Sequence, residues 1–368
     1  MHVRLCFGVA GTVALALAGC NETADRQAAA DPKTKPPTEI GKLIESLPNY
    51  AHFSLSGVAF YSGRLYVTTN IGLIELEGTT LKSLHTWYLN DDVIEGPWVD
   101  KTRNSLWIQR VHDGALLRLD ETGWHLNALP APPNGYYSRG DMLEGFRGAS
   151  DATGFRLIGS GHIWVWNPPD RWILETSPSA PEFSASVGVG FLRGREIRVM
   201  RLGTCPVRPC DYAFYWREGD GWTAGRNLPV WQVKQVLGTA DGIFARSDKG
   251  ELVRLDDGAA LLETPGKCEA IVRTSAGKLM ASFVGAGVFT LTQEGWTKAL
   301  DYPYGVSEGD HWAQLAEENG VVAYATTSMP GHLSGNKWEY TGSTALWVSE
   351  GGNWVRINGL YPITYHQR

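Results

Sequence analysis

The feature that most constrains the fold is a pattern that recurs seven times between residues 53 and 362. Each copy contains a short strand, a turn, a β-rich strand, a Gly-containing connection, a third alternating strand and a Gly turn that Trp often follows. In the second copy these segments include SLWIQR (105–110) and ALLRLDE (115–121), followed by Gly123 and Trp124. Apolar residues anchor the second strands at intervals of 36 to 49 residues: Leu65, Leu106, Phe155, Ile197, Ile243, Leu279 and Val322. Four-stranded propeller blades repeat at about 40–50 residues.

An isolated four-stranded sheet exposes two apolar faces, and radial stacking of such sheets buries both. We therefore predict an all-β fold, a seven-bladed β-propeller of four-stranded antiparallel blades. A true count of six or eight blades and a tandem of β-sandwiches are the alternatives. Five copies begin the fourth strand with a Trp that is expected to cover the neighbouring sheet and direct its N–H outwards: Trp124, Trp172, Trp222, Trp296 and Trp354. The 43 Gly and 5 Met agree with short strands and tight turns.

The repeats resemble those of two-component-regulator propellers, whose blades have a "GLWIGT…GLxRLD" pattern. The similarity is best in the first, second and fifth copies, for example RLYVTT (64–69) with GLIELEG (72–78). The copies lack the Gly-Thr pair of that pattern. The resemblance implies the architecture and suggests, as one alternative function, a periplasmic sensor subunit for a separate kinase.

The N-terminus has the features of a secretory signal. Arg4 precedes the apolar run Leu5–Ala18, which is too short to span a bilayer. The run ends in Leu-Ala-Gly-Cys20, and here the chain resembles bacterial lipoproteins. That resemblance implies cleavage before Cys20, lipidation of its thiol and amine, and, with Asn21 next, the outer membrane facing the periplasm. An ordinary secretory signal with a chance Cys is the alternative.

The predicted organisation is a signal peptide at 1–19, a lipidated Cys and flexible tether at 20–50, and the propeller domain at 51–368. Residues 21–38 are polar and rich in Ala and Pro, as in flexible linkers. Helical spacing of the apolar residues between Ile40 and Leu47 indicates one short helix, with a disordered continuation as the alternative.

Cysteine use agrees with an oxidising compartment. Cys205 and Cys210 enclose a small loop and are predicted to form a local disulfide, whereas Cys268 is expected to be a buried apolar residue. No spacing typical of a metal site is present, so we expect neither a metal nor a cofactor. The formal net charge of −6 argues against a nucleic-acid partner.

We label the strands of a blade a to d from the channel outwards, so that d–a and b–c connections share one face of the ring. Insertions at 205–210 and 329–343 lie between strands b and c and enlarge this face. Loops on a rigid scaffold commonly carry binding residues. The candidate binding residues are Glu95, Trp98, Tyr136, Tyr137, Arg139, Asp141, Glu144, Trp231, Lys234, His311 and Trp312. Isolated solvated loop residues are the alternative interpretation.

Catalytic motifs are sparse, because the chain lacks a Gly-x-Ser-x-Gly elbow, a Gly-rich phosphate loop and a His-Glu-x-x-His segment. Four carboxylates near the starts of innermost strands are candidates for an acid–base pair that cleaves glycosides: Glu95, Asp141, Glu144 and Glu269. We therefore predict a membrane-anchored scaffold that binds a protein or an extracytoplasmic ligand, more a binding protein than an enzyme. A carbohydrate-active enzyme is the alternative from another class.

Overall fold

The computed structural model describes residues 55–366 except for the intervals 70–71, 79, 86–93, 111–114, 128–146, 152–153, 160–161, 168–170, 176–184, 193–194, 204–210, 231, 256–259, 304–310, 329–330, 335–336 and 358–361. The predicted signal peptide, tether and short helix therefore lie outside the described residues. The described part of the chain consists of β-strands joined by turns. Within it, no helix is long and apolar enough to cross a membrane.

Thirty strands form seven antiparallel sheets, and these sheets are the blades of a β-propeller. Blades one to three contain β1 Leu55–Tyr61, β2 Arg64–Thr69, β3 Gly72–Glu77, β4 Thr80–His85, β5 Ile94–Asp100, β6 Ser105–Arg110, β7 Leu116–Asp120, β8 Gly123–Asn127, β9 Arg147–Asp151, β10 Gly154–Gly159, β11 His162–Asn167 and β12 Arg171–Leu174. Blades four to six contain β13 Ala185–Leu192, β14 Arg195–Arg201, β15 Tyr212–Glu218, β16 Gly221–Asn227, β17 Val233–Gly238, β18 Ile243–Ser247, β19 Leu252–Arg254, β20 Ala260–Leu261, β21 Cys268–Arg273, β22 Leu279–Phe283, β23 Gly287–Thr292 and β24 Gly295–Leu300. Blade seven contains β25 His311–Glu318, β26 Val321–Ser328, β27 Gly331–Ser334, β28 Lys337–Glu350, β29 Asn353–Arg356 and β30 Pro362–His366.

The predicted repeat matches the blades strand for strand. All seven anchor residues lie in second strands, and each is buried. Second strands such as β10 and β22 are buried along their whole length because sheets stack on both of their faces. Fourth strands such as β12 and β16 contain only half-buried and exposed residues. The seven-bladed, four-stranded prediction is confirmed.

The five repeated Trp residues lie in fourth strands, as predicted. Trp296 packs edge-on against Phe283, with ring centroids 4.9 Å apart. Its indole N–H donates to the carbonyl of Glu263 at 2.9 Å, and the N–H of Trp354 donates to the carbonyl of Asp301 at 2.7 Å. Both carbonyls belong to segments that follow the preceding blade's last strand, so these two N–H groups join neighbouring blades instead of pointing into solvent.

Blade one closes the ring directly against blade seven. Among the described residues, each of these two blades is built from strands that are consecutive along the chain, and no strand is exchanged between the two blades. Strand β1 packs against β25 and β26. The Gln314 side chain joins the two innermost strands, accepting from the Val58 N–H at 3.3 Å and donating to the Ser56 carbonyl at 3.2 Å.

Blade seven extends beyond the plan of the other blades. The insertion predicted between its strands b and c forms β27 and the first half of the 14-residue strand β28. The C-terminal strand β30 pairs with this same half of β28, from Glu339 to Ser343. The result is a small sheet in the order β27-β28-β30 on the b–c side of the ring.

The innermost strands approach one another so closely that glycine is required at several contacts, two of which lie among blades one to three. A Cβ atom on Gly57 would lie 1.5 Å from the carbonyl oxygen of Gly96 in blade two. A Cβ atom on Gly148 would lie 2.3 Å from Cγ of Trp98. Both separations are far below van der Waals contact, so these glycines set the spacing of blades one, two and three around the channel.

Candidate functional site

Two cavities lie along the central channel, one towards each end, and they share lining residues that include Trp98, Arg147 and Lys234. We call the end where strands a begin the d–a mouth; its cavity has a volume of about 820 Å³. Its ionisable lining consists of Glu95, Arg147, Lys234, Arg246, Asp248, Lys267 and Glu269. The opposite end, at the a–b turns, has a cavity of about 590 Å³. Its polar side chains include those of Lys101, Thr102, Ser150, Arg273, Ser275 and Glu317.

Three of the predicted binding residues line the d–a mouth. Glu95, Trp98 and Lys234 lie within strands β5 and β17, not in the loops before them. His311 and Trp312 are the first two residues of β25 and pair with Ser328 and Thr327. The remaining candidates lie outside the described residues: Tyr136, Tyr137, Arg139, Asp141, Glu144 and Trp231. So do Cys20 and the predicted disulfide partners Cys205 and Cys210.

β-Bulges present several side chains to this mouth. Five of the seven innermost strands have an irregular register close to their start. In β17 the register runs from Val233 to Gln235 and skips Lys234, and in β21 it skips Glu269 in the same way. A bulge changes the direction of a side chain and is common next to functional sites. The bulges therefore account for the placement of Lys234 and Glu269, whereas Arg147 reaches the mouth from β9, whose register is regular.

Trp98 forms part of the wall between blades two and three. Its ring packs beside the buried aromatic cluster of Trp107, Phe155 and Trp166 and against Gly148. Within the cluster, Trp107 and Phe155 stack with ring centroids 5.0 Å apart and planes 8° apart. Trp98 also lines the cavity, so this residue connects blade packing with the site.

Two of the four carboxylates considered for catalysis line the same cavity. The carboxylate oxygens of the buried Glu269 accept hydrogen bonds from the hydroxyls of Tyr302 at 2.9 Å and Tyr324 at 2.6 Å. Burial raises the pKa of Glu95, although the positive charge of Arg147 opposes the shift. Glu269 is thus held in place by two hydroxyl groups, and Glu95 is easier to protonate than an ordinary glutamate. Asp141 and Glu144 lie outside the described residues.

Arg246 and Asp248 also line the d–a mouth, although neither was predicted from the sequence as a binding residue. Arg246 lies in β18 and Asp248 follows it in the b–c turn. Burial lowers the pKa of Arg246, and the nearby guanidinium of Arg147 lowers it further. One signal was available in the sequence: Arg246 is a charged residue within a second strand, an element whose residues are otherwise mostly buried and apolar.

Cys268, by contrast, has a packing role, as the sequence predicts. It begins β21, is 1% exposed and lies in the apolar cluster between blades five and six. Burial raises the pKa of its thiol to about 12, so the thiol stays protonated at neutral pH. Among the described residues, no group of three or more His, Cys, Asp or Glu side chains is placed to hold a metal ion.

Comparison with known proteins supports the fold and leaves the family open. No family model matches the chain, and no curated protein matches it. The resemblance to two-component-regulator repeats therefore remains a prediction. A solved structure of PorZ from Porphyromonas gingivalis, described as an essential surface component of the type-IX secretion system, is 11% identical with a TM-score of 0.51. That similarity covers 83% of this chain and 45% of PorZ, so the chain spans less than half of the length of that relative.

Two further propeller structures are similar at lower scores. Hsv2 from Kluyveromyces lactis is 12% identical with a TM-score of 0.44, covering 81% of this chain and 98% of that protein. BamB from Moraxella catarrhalis is 11% identical with a TM-score of 0.43, covering 73% and 79%. Only the similarity to PorZ supports the fold, which is the β-propeller that the chain's own seven sheets display.

Proposed function

We propose that this protein is a lipid-anchored, extracytoplasmic propeller that binds a protein partner or an extracytoplasmic ligand through its d–a/b–c face. The observation that carries the proposal is the cavity of about 820 Å³ at the d–a mouth, with charged groups of both signs converging from several blades. Concave sites with a few convergent polar groups are typical of ligand and partner recognition. The small sheet of β27, β28 and β30 stands on the same side and enlarges the surface available to a partner.

The lipid anchor is the part of the proposal that rests on sequence. The apolar run followed by Leu-Ala-Gly-Cys20 supports lipidation, and the polar segment 21–38 supplies a tether. PorZ, which has a similar fold, is described as a bacterial surface component. That description concerns PorZ, but it gives a precedent for a propeller at the cell surface.

In-cell crosslinking followed by capture of the tagged protein tests the binding function. Cells expressing the wild-type chain are compared with cells expressing Lys267→Glu, which reverses a charge that lines only the d–a mouth. Lys101→Glu, which lines only the opposite mouth, is the matched control. We expect a crosslinked partner that is lost with Lys267→Glu and kept with Lys101→Glu. A partner set that neither change alters would reject the d–a mouth as the binding face.

Lipidation has a separate test. Cells labelled with radioactive palmitate should incorporate the label into the wild-type protein and not into a Cys20→Ser variant. The variant should also move from the membrane fraction to the soluble fraction, since acyl chains supply the membrane affinity. Equal labelling of both proteins would contradict the anchor.

A further inference from the structure

The d–a mouth contains a buried donor and a buried acceptor that nothing in the described part of the chain satisfies. Nε of Arg246 and Oδ1 of Asp248 have no hydrogen-bond partner among the described residues. Both side chains line the cavity of about 820 Å³. A buried polar atom without a partner costs free energy. The described residues contain thirteen such side-chain atoms, and these two are distinguished because both side chains line the same cavity. A ligand bound in this cavity can supply the missing partners.

The charges around this pair favour an anionic group. Four cationic side chains line the mouth, those of Arg147, Lys234, Arg246 and Lys267. Of the three acidic side chains, Glu269 already accepts hydrogen bonds from two tyrosine hydroxyls. Burial favours the neutral form of Glu95. Burial lowers the pKa of Arg246, and the positive charge of Arg147 is near enough to lower it further. Glu269 and Asp248 act on this pKa in the opposite direction. A further anion at the mouth would favour the charged form of Arg246.

The acceptor beside Arg246 narrows the ligand class. A carboxylate bound to Arg246 brings one negative charge close to the Asp248 carboxylate. A phosphate brings about two negative charges and is repelled more strongly. Asp248 also needs a donor, which the backbone N–H groups of a peptide provide. The cavity of about 820 Å³ is larger than a single small anion fills, so it has room for a peptide segment.

We propose that the d–a mouth binds an acidic peptide segment of a protein partner, with a carboxylate held by Arg246 and a peptide N–H donated to Asp248. This inference rests on the proposed binding function and names the chemistry of the partner. Arg147 supports the carboxylate from blade three, where its guanidinium also donates to the Val187 carbonyl at 3.3 Å. Lys234 and Lys267 attract acidic segments to the opening.

The test measures peptide binding by the purified full-length protein in detergent. Three pools of end-blocked hexapeptides carry an uncharged dye and differ at one fixed central position, which is Glu, Gln or Lys. Fluorescence anisotropy gives the affinity of each pool. We expect the Glu pool to bind about tenfold more tightly than the Gln pool, the size of one charged hydrogen bond, and the Lys pool to bind most weakly.

Two variants connect this preference to the site. Arg246→Gln should reduce the preference for the Glu pool to less than about twofold, because the charged donor is lost. Arg254→Gln is the matched control. Arg254 lies in the third strand of the same blade, and its guanidinium donates to the Asp241 carbonyl at 2.9 Å in the a–b turn. Circular dichroism and thermal unfolding show whether each variant folds.

Several outcomes would overturn the inference. Equal affinity of the wild-type protein for the Glu and Gln pools rejects it, even if Arg246→Gln fails to fold. If folded Arg246→Gln keeps the wild-type preference for the Glu pool over the Gln pool, Arg246 does not bind the carboxylate. Competition by N-acetylglutamate amide as strong as by the unlabelled Glu hexapeptides would indicate a small carboxylate instead of a peptide. If crosslinking captures a partner through this face but the Glu preference is absent, the acidic-peptide inference fails while the proposed function stands.

Discussion

Two interfaces between neighbouring blades are held together by different chemistry. Blades seven and one, which close the ring, meet through a large aliphatic cluster: Leu55, Val58, Leu65, Val67, Ile74, Leu76, Ala316, Ala323, Ala325, Leu346, Val348 and Ile357. Between blades three and four the corresponding apolar cluster is small, with Ile158, Ile163 and Val189 at its centre. A buried network of arginine and glutamate side chains lies at that second interface, which we call the blade 3/4 network: Arg156, Glu175, Glu196 and Arg198.

The geometry of the blade 3/4 network joins the two sheets. Glu175 of blade three bonds to Arg156 at 3.1 Å and to Arg198 of blade four. Arg198 is fully buried and also bonds to Glu196, with 2.8 Å between Nε and Oε1. The Arg198 guanidinium lies 4.5 Å from the ring centroid of Trp222, a cation–π contact.

The two interfaces differ in how precisely their contacting side chains must be placed. Apolar packing is non-directional and needs only area and shape, which suits a closing interface across which no described strand is exchanged. A buried ion network needs correct positions for every partner, and its net contribution is small because desolvation offsets the attraction. Such a network is therefore more sensitive to the loss of one member than to replacement of the whole set.

Removing one charge from the blade 3/4 network should have the largest effect. Arg198→Ala leaves Glu175 and Glu196 buried without one of their shared cations, and we expect a loss of about 3–5 kcal/mol in the free energy of unfolding. Urea unfolding followed by Trp fluorescence measures this loss. Arg195→Ala is the control, because its pair with Glu218 is 3.6 Å long and about half exposed. The control should lose less than about 1 kcal/mol; a similar loss in both variants would contradict a special role for the network.

Truncation at the closing interface should have the next largest effect. Leu346 is 2% exposed within the aliphatic cluster, and Leu346→Ala is expected to cost about 3 kcal/mol in the free energy of unfolding. Leu126→Ala, at a position 71% exposed in β8, should cost less than about 0.5 kcal/mol. The same urea titration measures both. A loss below 1 kcal/mol for Leu346→Ala would mean that this cluster does not hold the ring closed.

Replacing the entire blade 3/4 network should have a smaller effect than breaking it. We consider a variant in which Met or Leu replaces all four residues, Arg156, Glu175, Glu196 and Arg198. Its free energy of unfolding should lie within about 2 kcal/mol of the wild-type value. The reason is that no buried charge remains without a partner. A loss larger than that of Arg198→Ala would show that the network contributes more attraction than its desolvation costs.

The smallest expected effect concerns a charged cluster near the surface of blade two. Burial opposes ionisation of Asp120, but hydrogen bonds from Thr122 and His125 outweigh it and lower its pKa to about 2. Because this pKa lies below the ordinary 3.8, the ionised carboxylate stabilises the fold above about pH 4, and this contribution is lost as the pH falls towards 2. The free energy of unfolding of the wild type, measured by urea titration, should exceed that of Asp120→Asn by less than about 1 kcal/mol at pH 7, and the difference should disappear towards pH 2. A difference that persists at pH 2 would contradict this assignment.

Much of the ring could be predicted from periodicity, whereas the blade 3/4 network could not. Arg156 and Arg198 each directly follow an anchor residue, Phe155 and Ile197, at a position where other copies have an apolar residue. That exception was visible in the sequence. Its partners were not, because Glu175 and Arg198 are 23 residues apart and meet only when two sheets stack.

The d–a mouth shows the same division. Glu95, Trp98 and Lys234 could be selected because the repeat places them at or near the d–a connections, although Trp98 lies further along β5 than predicted. Arg246 could not, because it belongs to a second strand and reaches the mouth between blades five and six. The β-bulges that present Lys234 and Glu269 depend on the register of paired strands, which the pattern of one strand alone does not specify.

The sequence by itself determined the number of blades, the order of strands within each blade and the positions of the five packing Trp residues, because all of these follow from local repetition of apolar and turn residues. Only the tertiary structure decided how the ring closes, which blades are joined by ions and which side chains share the channel mouth. These are contacts between different blades, and their energies depend on the distance and burial of atoms that lie far apart along the chain.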